Sequence, residues 1–235
     1  CSSPEFVVNV RQIEHGVIVA NGALVKIPFD RTRWEAVARK QYPHGLPAPY
    51  SEDPTQWSFK GTVAPSTEPL QVAVARRLGY RWPDQEKGEL DALADRDGIV
   101  CIPAVGGEQP GTDRLLTLLA ACGAKPERNL DEWLREKFFE EHFKLFHHRP
   151  FVWHIWDGRK KDGFHVLVNY HKLDRKLLEK LIYTYLGDWI NRQKAAEQRG
   201  ESGAEARRFA AEDLQNRLKL ILAGEPPYDI FVRWK

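Results

Sequence analysis

Apolar positions recur along this chain in two periods, near four and near two, and each change of period marks an element. After Asp174, Leu177, Leu181, Tyr185 and Trp189 fall four apart, with Leu178, Ile182, Leu186 and Ile190 beside them. This predicts a long helix with a wide apolar stripe that must pack against something. Ala204 to Ala223 repeats the pattern through Ala210, Leu214 and Leu218. Shorter helices are predicted from Thr67 to Gly79, over GTDRLLTLLAACG, and after Asn129, where Glu132 three residues on completes a capping-box spacing. SSPEFVVNVRQIEHG and the stretch from Asp30 to about Gln41 predict two more near the start. Period-two or continuous apolar runs predict strands. GVIVANGALVKIPFD alternates around Asn21-Gly22, a type I′ hairpin signal. FVWHIW and GFHVLVNY flank the turn DGRKKDG, DGIVCIPAV reads as a buried strand, and YDIFVRW as a closing one. Tyr42 to Pro69 is rich in proline and turn residues and is expected to be anchored by Trp57 and Phe59. The architecture expected is α+β, predominantly helical, with short antiparallel strand pairs in hairpins near residues 17–27 and 151–170. A division into residues 1–80 and 81–235 is expected, with the boundary between Arg81 and Leu93.

Composition narrows the class. With 235 residues, 42% of them hydrophobic, and eight tryptophans, the chain can bury one large core or two small ones, and a disordered or fibrous class is excluded. The net charge of +2 announces no polyanionic partner. Locally the balance shifts: Glu141 to Gly200 holds 12 Lys or Arg against 7 Asp or Glu. Three cysteines without CxxC spacing argue against a disulfide framework and for a reduced, cytoplasmic setting. No apolar run of about 18 residues and no basic-then-apolar leader is present, so neither a membrane span nor a signal peptide is expected. Methionine is absent, even at position 1, so the chain reads as a fragment of a larger protein.

Candidate chemistry is sparse. GGEQPG, Gly106 to Gly111, precedes a helix but lacks the Gly-Lys-Ser/Thr ending of a P-loop and the GxGxxG spacing, so it reads as a loop. Six of eight histidines lie between His142 and His171, yet none has zinc-site spacing. His154 and His165 would sit on paired strands and could approach one another. No GxSxG elbow and no carboxylate pair on a shared face appears, so no catalytic residue and no metal ligand is assigned. The hairpin carries what remains. Arg159, Lys160 and Lys161 at its turn could neutralise phosphates; Asn169, Lys172 and Arg175 could reach bases or backbone, with Arg76 and Arg77 as a second pair. The competing reading is a solvated basic loop. Trp153 and Trp156, three apart and so on opposite sheet faces, read as core.

Long blocks then point to a family. HHRPFVWHIWDG, LVNYHKLDRKLLEKLIYTYLGDWI and EPPYDIFVRWK resemble the C-terminal region of large adenine-specific (N6) DNA methyltransferases of type IIG-like restriction–modification systems and of BREX- and DISARM-type phage defence. DPTQWSFKG and PLQVAVARRLGYRWP match the same group, and CSSPEFVVNVRQ with ALVKIPFD resembles the tail of its target-recognition segment. The resemblance implies a parent enzyme that transfers methyl groups from S-adenosylmethionine to adenine in double-stranded DNA. Its cofactor motif and NPPY-type motif would lie upstream. EPPY here begins with Glu225 instead of Asn, Asp or Ser and reads as a turn into an edge strand. The resemblance therefore carries over no catalytic or cofactor-binding residue, and implies a DNA-recognition and positioning part that is inert alone. The alternative is a scaffold that docks other defence-system subunits without touching DNA.

Overall fold

A computed structural model of the chain describes residues 4–15, 26–28, 30–43, 63–64, 66–81, 88–126 and 128–228. The chain divides into two compact units, Cys1–Ser51 and Glu52–Lys235. In the first, α1 spans Pro4–Ile13 and α2 spans Arg31–Gln41. Asp30 caps α2 as its position predicts, accepting from the Arg33 N–H at 3.0 Å. The expected hairpin at Asn21-Gly22, the Trp57–Phe59 segment and the closing strand after Tyr228 lie outside the described residues.

The second unit is α+β and mostly helical. Its helices are α3 (Pro69–Arg77), α4 (Gly111–Ala121), α5 (Leu130–Glu136), α6 (Phe138–Leu145), α7 (Arg175–Lys180), α8 (Leu186–Gln198) and α9 (Ala204–Ala223). Its strands are β1 (Ile99–Cys101), β2 (Val152–Trp156) and β3 (His165–Asn169), in an antiparallel sheet of order β1-β3-β2. The register opposes Val100 to Leu167, Trp153 to Val168, and Trp156 to His165. Alternation then sends successive side chains to opposite faces. Val100, Val152 and Leu167 join a core with α3 to α6, including Val72, Leu118, Trp133 and Phe138. Ile99, Cys101, Val166 and Val168 join another with Leu181, Ile182, Leu186, Leu214 and Leu218. Central β3 is buried at all five positions, the polar His165 and Asn169 included. Each fully buried Phe or Leu adds roughly 1.5–3 kcal/mol.

Two departures from the expected elements matter for the site. The helix predicted from Asn129 breaks at Lys137 (φ −121°, ψ −34°) into α5 and α6. Its cap does form: the Asn129 side chain accepts from the N–H of Asp131 and Glu132. The long helix after Asp174 runs as predicted but contains a π-helical turn at Leu181–Tyr185 between α7 and α8. Tyr185 in that turn donates its hydroxyl hydrogen to Asp97 at 2.7 Å, and Lys180 pairs with the same carboxylate at 2.6 Å. These contacts pin the helical rod to the segment that enters β1. Helix α3, which the sequence placed before a boundary near residue 80, packs inside the second unit's core. No helix among the described residues is long and apolar enough to cross a membrane.

Candidate nucleic-acid interface

The β2–β3 turn is built by one aspartate. Asp157 is buried, and its two oxygens accept from the backbone N–H of Arg159 at 3.0 Å and of Phe164 at 2.8 Å. Gly158 supplies the left-handed step (φ +94°), and a Cβ at Gly163 would collide with the Asp157 carboxylate. This is why an Asp-Gly pair brackets each side of the loop. Arg159 folds back onto Asp162 with paired bonds of 3.1 and 2.9 Å, which holds its guanidinium above the usual pKa. Arg207 at the start of α9 also reaches Asp162, at 3.5 Å. Lys160 and Lys161 remain exposed at the tip.

Beneath the turn the two strand histidines meet as the sequence anticipated, His154 Nε2 to His165 Nδ1 at 2.9 Å. The Arg159 carbonyl, 2.7 Å from His165 Nε2, can only accept. His165 is therefore protonated at Nε2, its Nδ1 accepts, and His154 donates from Nε2. Burial lowers both pKa values, and the neutral pair keeps this tautomer chain.

The remaining candidates are placed differently from their expected roles. Asn169 is buried, donating to the Leu78 carbonyl at 3.0 Å and accepting from the His171 N–H at 3.0 Å, so it closes the chain's path after β3 and cannot reach a base. Arg76 and Arg77, read as a surface pair, are buried with 5% and 9% exposure. Arg76 pairs with Asp91 at 3.5 Å, and Arg77 with Asp95 at 3.0 Å. Burial lowers the pKa of both guanidiniums. Arg175 is exposed but pairs with Glu179 at 3.1 Å and donates to the Leu222 carbonyl at 3.3 Å. Lys172 donates to the Arg96 carbonyl at 3.1 Å. With Arg76, Arg81, Arg96, Asp91 and Asp95 it lines a polar cleft of about 170 Å³. The tip lysines and Lys172 lie beyond opposite ends of β3, a separation of at least roughly 13 Å at about 3.3 Å per residue. The hairpin cations therefore form two clusters, not one.

The tryptophans are split across the sheet faces as expected, but neither is core. Trp153 is 43% exposed and stacks on Tyr170 (5.9 Å, 21°); Trp156 is 37% exposed. Among the described residues β2 is an edge strand, paired only with β3. Trp156 instead opens onto a groove of about 550 Å³ against α5 and α6, lined by Phe139, Phe143, His154, Lys137 and Lys160 among others. Sequence reading missed this groove, since Phe139 and Phe143, four apart on a helix, look like core. The signal was the surplus of apolar positions around the helix: Phe138 and Phe139 cannot both face one core.

Two other features have their polar groups and space already committed. GGEQPG does not fit a phosphate or a methyl donor, because a Cβ at Gly111 would lie 2.6 Å from the Cys101 carbonyl oxygen. That space is filled by strand backbone, and the Gly111 N–H donates to the Ile102 carbonyl at 3.1 Å. Asp97 and Glu108 approach the Tyr185 hydroxyl at 2.7 and 3.2 Å. Burial raises Glu108, while Lys180, Tyr185 and the Ile99 N–H hold Asp97 low against its own burial. Arg114 also bridges Glu108 and Asp95, so these charges are spent on holding α4, β1 and the helical rod together. Among the described residues no group of three or more His, Cys, Asp or Glu could hold a metal ion. No protein-family model matches the chain, and a comparison with curated proteins finds no match.

Proposed function

We propose that this chain positions double-stranded DNA as the C-terminal part of an adenine-N6 methyltransferase of a restriction–modification or phage-defence system. The observation that carries the DNA contact is the β2–β3 turn. Asp157 fixes its backbone, Arg159 and Arg207 consume Asp162, and Lys160 and Lys161 are left at the tip with their charge unspent. Such a tip meets phosphates without choosing bases. S-adenosylmethionine belongs to the wider enzyme, and no residue of this chain is assigned to it. A reduced, cytoplasmic setting accords with Cys101 and Cys122 both being free thiols.

The test is duplex-binding anisotropy across a salt series. Each phosphate contact adds about 0.9 to the slope of log affinity against log salt, so Lys160→Ala and Lys161→Ala should each flatten it by about one. Unchanged binding and slope in both variants would remove the hairpin from the interface. A scaffold for other defence-system subunits is the second reading, supported by the exposed side chains Tyr183, Phe209, Leu220 and Ile221. A wild-type chain that fails to bind duplex even at low salt would favour it.

A further inference from the structure

We infer that the groove beside the hairpin turn is a binding site for one unpaired nucleotide of a DNA strand, its base stacked on Trp156 and its phosphate held by Lys160 and Lys137. The inference rests on the DNA contact proposed for the turn, and adds a site that the turn alone does not contain.

The observations begin with Trp156. It ends β2, the edge strand among the described residues, yet its indole is not loose. It lies nearly parallel to the His154 imidazole, with 6.2 Å between centroids and 19° between planes. His154 is in turn fixed by its bond to His165, and His165 by its bond to the Arg159 carbonyl. An exposed indole held flat by a bonded support is a pre-ordered stacking platform. A ligand stacking on it has little side-chain entropy left to remove. The opposing wall is also aromatic: Phe139 lies 6.4 Å from His154 and 6.3 Å from Phe143. A space of about 550 Å³ between such walls suits a planar ring with its attached sugar.

Charge selects among planar ligands. Arg135, Lys137 and Lys160 outnumber Glu136 and Glu140 in the lining, and Glu140 is already matched by Lys144 at 2.6 Å. Arg135 is committed to Asp131 at 2.8 Å and to the Gly163 carbonyl at 3.1 Å. Lys137 and Lys160 are the exposed cations left at the lip, and Lys160 belongs to the DNA-contacting turn itself. A flat apolar platform with a cationic lip continuous with a phosphate-contacting loop matches a base carrying its own phosphate. A paired base cannot enter, because its faces are covered by its neighbours in the stack. The occupant is thus a nucleotide outside the duplex.

Three fluorescent probes separate this site from general DNA affinity: a fully paired duplex, the same duplex with one extra-helical thymidine, and the same duplex with an abasic residue in that place. All three carry the turn's phosphate contacts, and only the second offers a base to Trp156. The wild-type chain should bind the thymidine bulge roughly ten-fold tighter than the abasic bulge, in the range base–aromatic stacking gives per base. Trp156→Leu should abolish the difference and Trp156→Phe should keep part of it, both with the paired duplex bound as before. Equal binding of the two bulges by the wild type, or a thymidine preference that survives Trp156→Leu, would overturn the groove site while leaving the duplex contact in place. If none of the probes binds at low salt, both the groove site and the DNA-positioning reading fall. The wild-type comparison needs no variant to fold, so a damaged Trp156 variant would not blur the outcome.

Discussion

Acid should destabilise this protein between pH 6.5 and pH 3, and His142 is one group through which it acts. The ring is 1% exposed and sits among Phe138, Phe146 and Phe151. Its Nε2 accepts from the backbone N–H of Phe151 at 3.3 Å and of Val152 at 3.1 Å, so that atom must keep its lone pair. Its Nδ1–H donates to Gln71 Oε1 at 3.1 Å. Burial drives the pKa from 6.5 down to about 3. A base whose folded pKa lies below its unfolded value takes up its proton on unfolding. Its stabilising contribution is complete above pH 6.5 and is lost as pH falls toward the folded value. At pH 5 the loss from this one group is about 2 kcal/mol, set against a total stability of about 5–15 kcal/mol for an ordinary domain. His154 and His165 are shifted in the same direction and share a bond, so together they add to the slope as a coupled pair.

The assay is a set of urea melts at pH 7 and pH 5 on the wild type and His142→Gln. Glutamine offers a carbonyl oxygen to the same two backbone donors and does not titrate. The variant should lose about 1–3 kcal/mol at pH 7, from packing and the bond to Gln71. Its further loss on moving to pH 5 should be smaller than the wild type's by about 2 kcal/mol. Identical losses in the two proteins would refute the reasoning, since they would show that His142 takes up no proton on unfolding.

Gly111→Ala should cost about 1–3 kcal/mol in a thermal or urea melt, because its Cβ meets strand backbone that cannot give way. Asn169→Ala should cost about 1–3 kcal/mol and leave the salt slope of duplex binding unchanged; a flattened slope would return Asn169 to the interface. Tyr185→Phe removes the hydroxyl between Asp97 and Glu108 and should cost about 1–2 kcal/mol, and a neutral result would mean Lys180 and Arg114 alone satisfy the two carboxylates. Asp157→Ala frees two backbone N–H groups of the turn. It should weaken duplex binding although Asp157 is an anion, the opposite of what a purely Coulombic surface predicts.

The helices were legible because their periodicity is long. Ala204–Ala223 falls where the repeat puts it, and the rod after Asp174 survives even a π-helical turn. The groove was not legible, for a definite reason. Read as one helix, the residues after Asn129 carry Phe138, Phe139, Phe143 and Phe146 on one broad face. Phe138 and Phe143 both belong to α6, five residues and about 140° apart round it, so Phe138 enters the core at 0% exposure while Phe143 stays 38% exposed. One side of α6 thus joins the core while another forms a wall of the groove, and a broad apolar stripe does not say where one ends and the other begins. Strand β2 misleads in the same way. Its alternation is correct, but alternation says which face a tryptophan takes and not whether anything lies opposite.

The two arginines at 76–77 and the two lysines at 160–161 carry the same local signal, a basic pair at the end of an element, and fold to opposite fates. What separates them is where carboxylates come from. Arg76 and Arg77 lie on a helix buried from Gln71 to Leu78, where an unmatched guanidinium would cost several kcal/mol. Their partners Asp91, in a 3-10 turn, and Asp95, just after it, lie more than a dozen residues later, so no local window could pair them. The loop 157–162 must be balanced from within, and it cannot be. One aspartate is spent on backbone N–H groups and the other is shared by Arg159 and Arg207. Two lysines are left over by this accounting, at the tip of the short loop that joins β2 to β3. Unspent charge on a backbone held by Asp157, more than basic composition, is what the proposed contact rests on. It also makes the proposed contact separable by experiment: a lysine removed here should change duplex binding and its salt dependence, whereas an arginine removed from α3 should change stability.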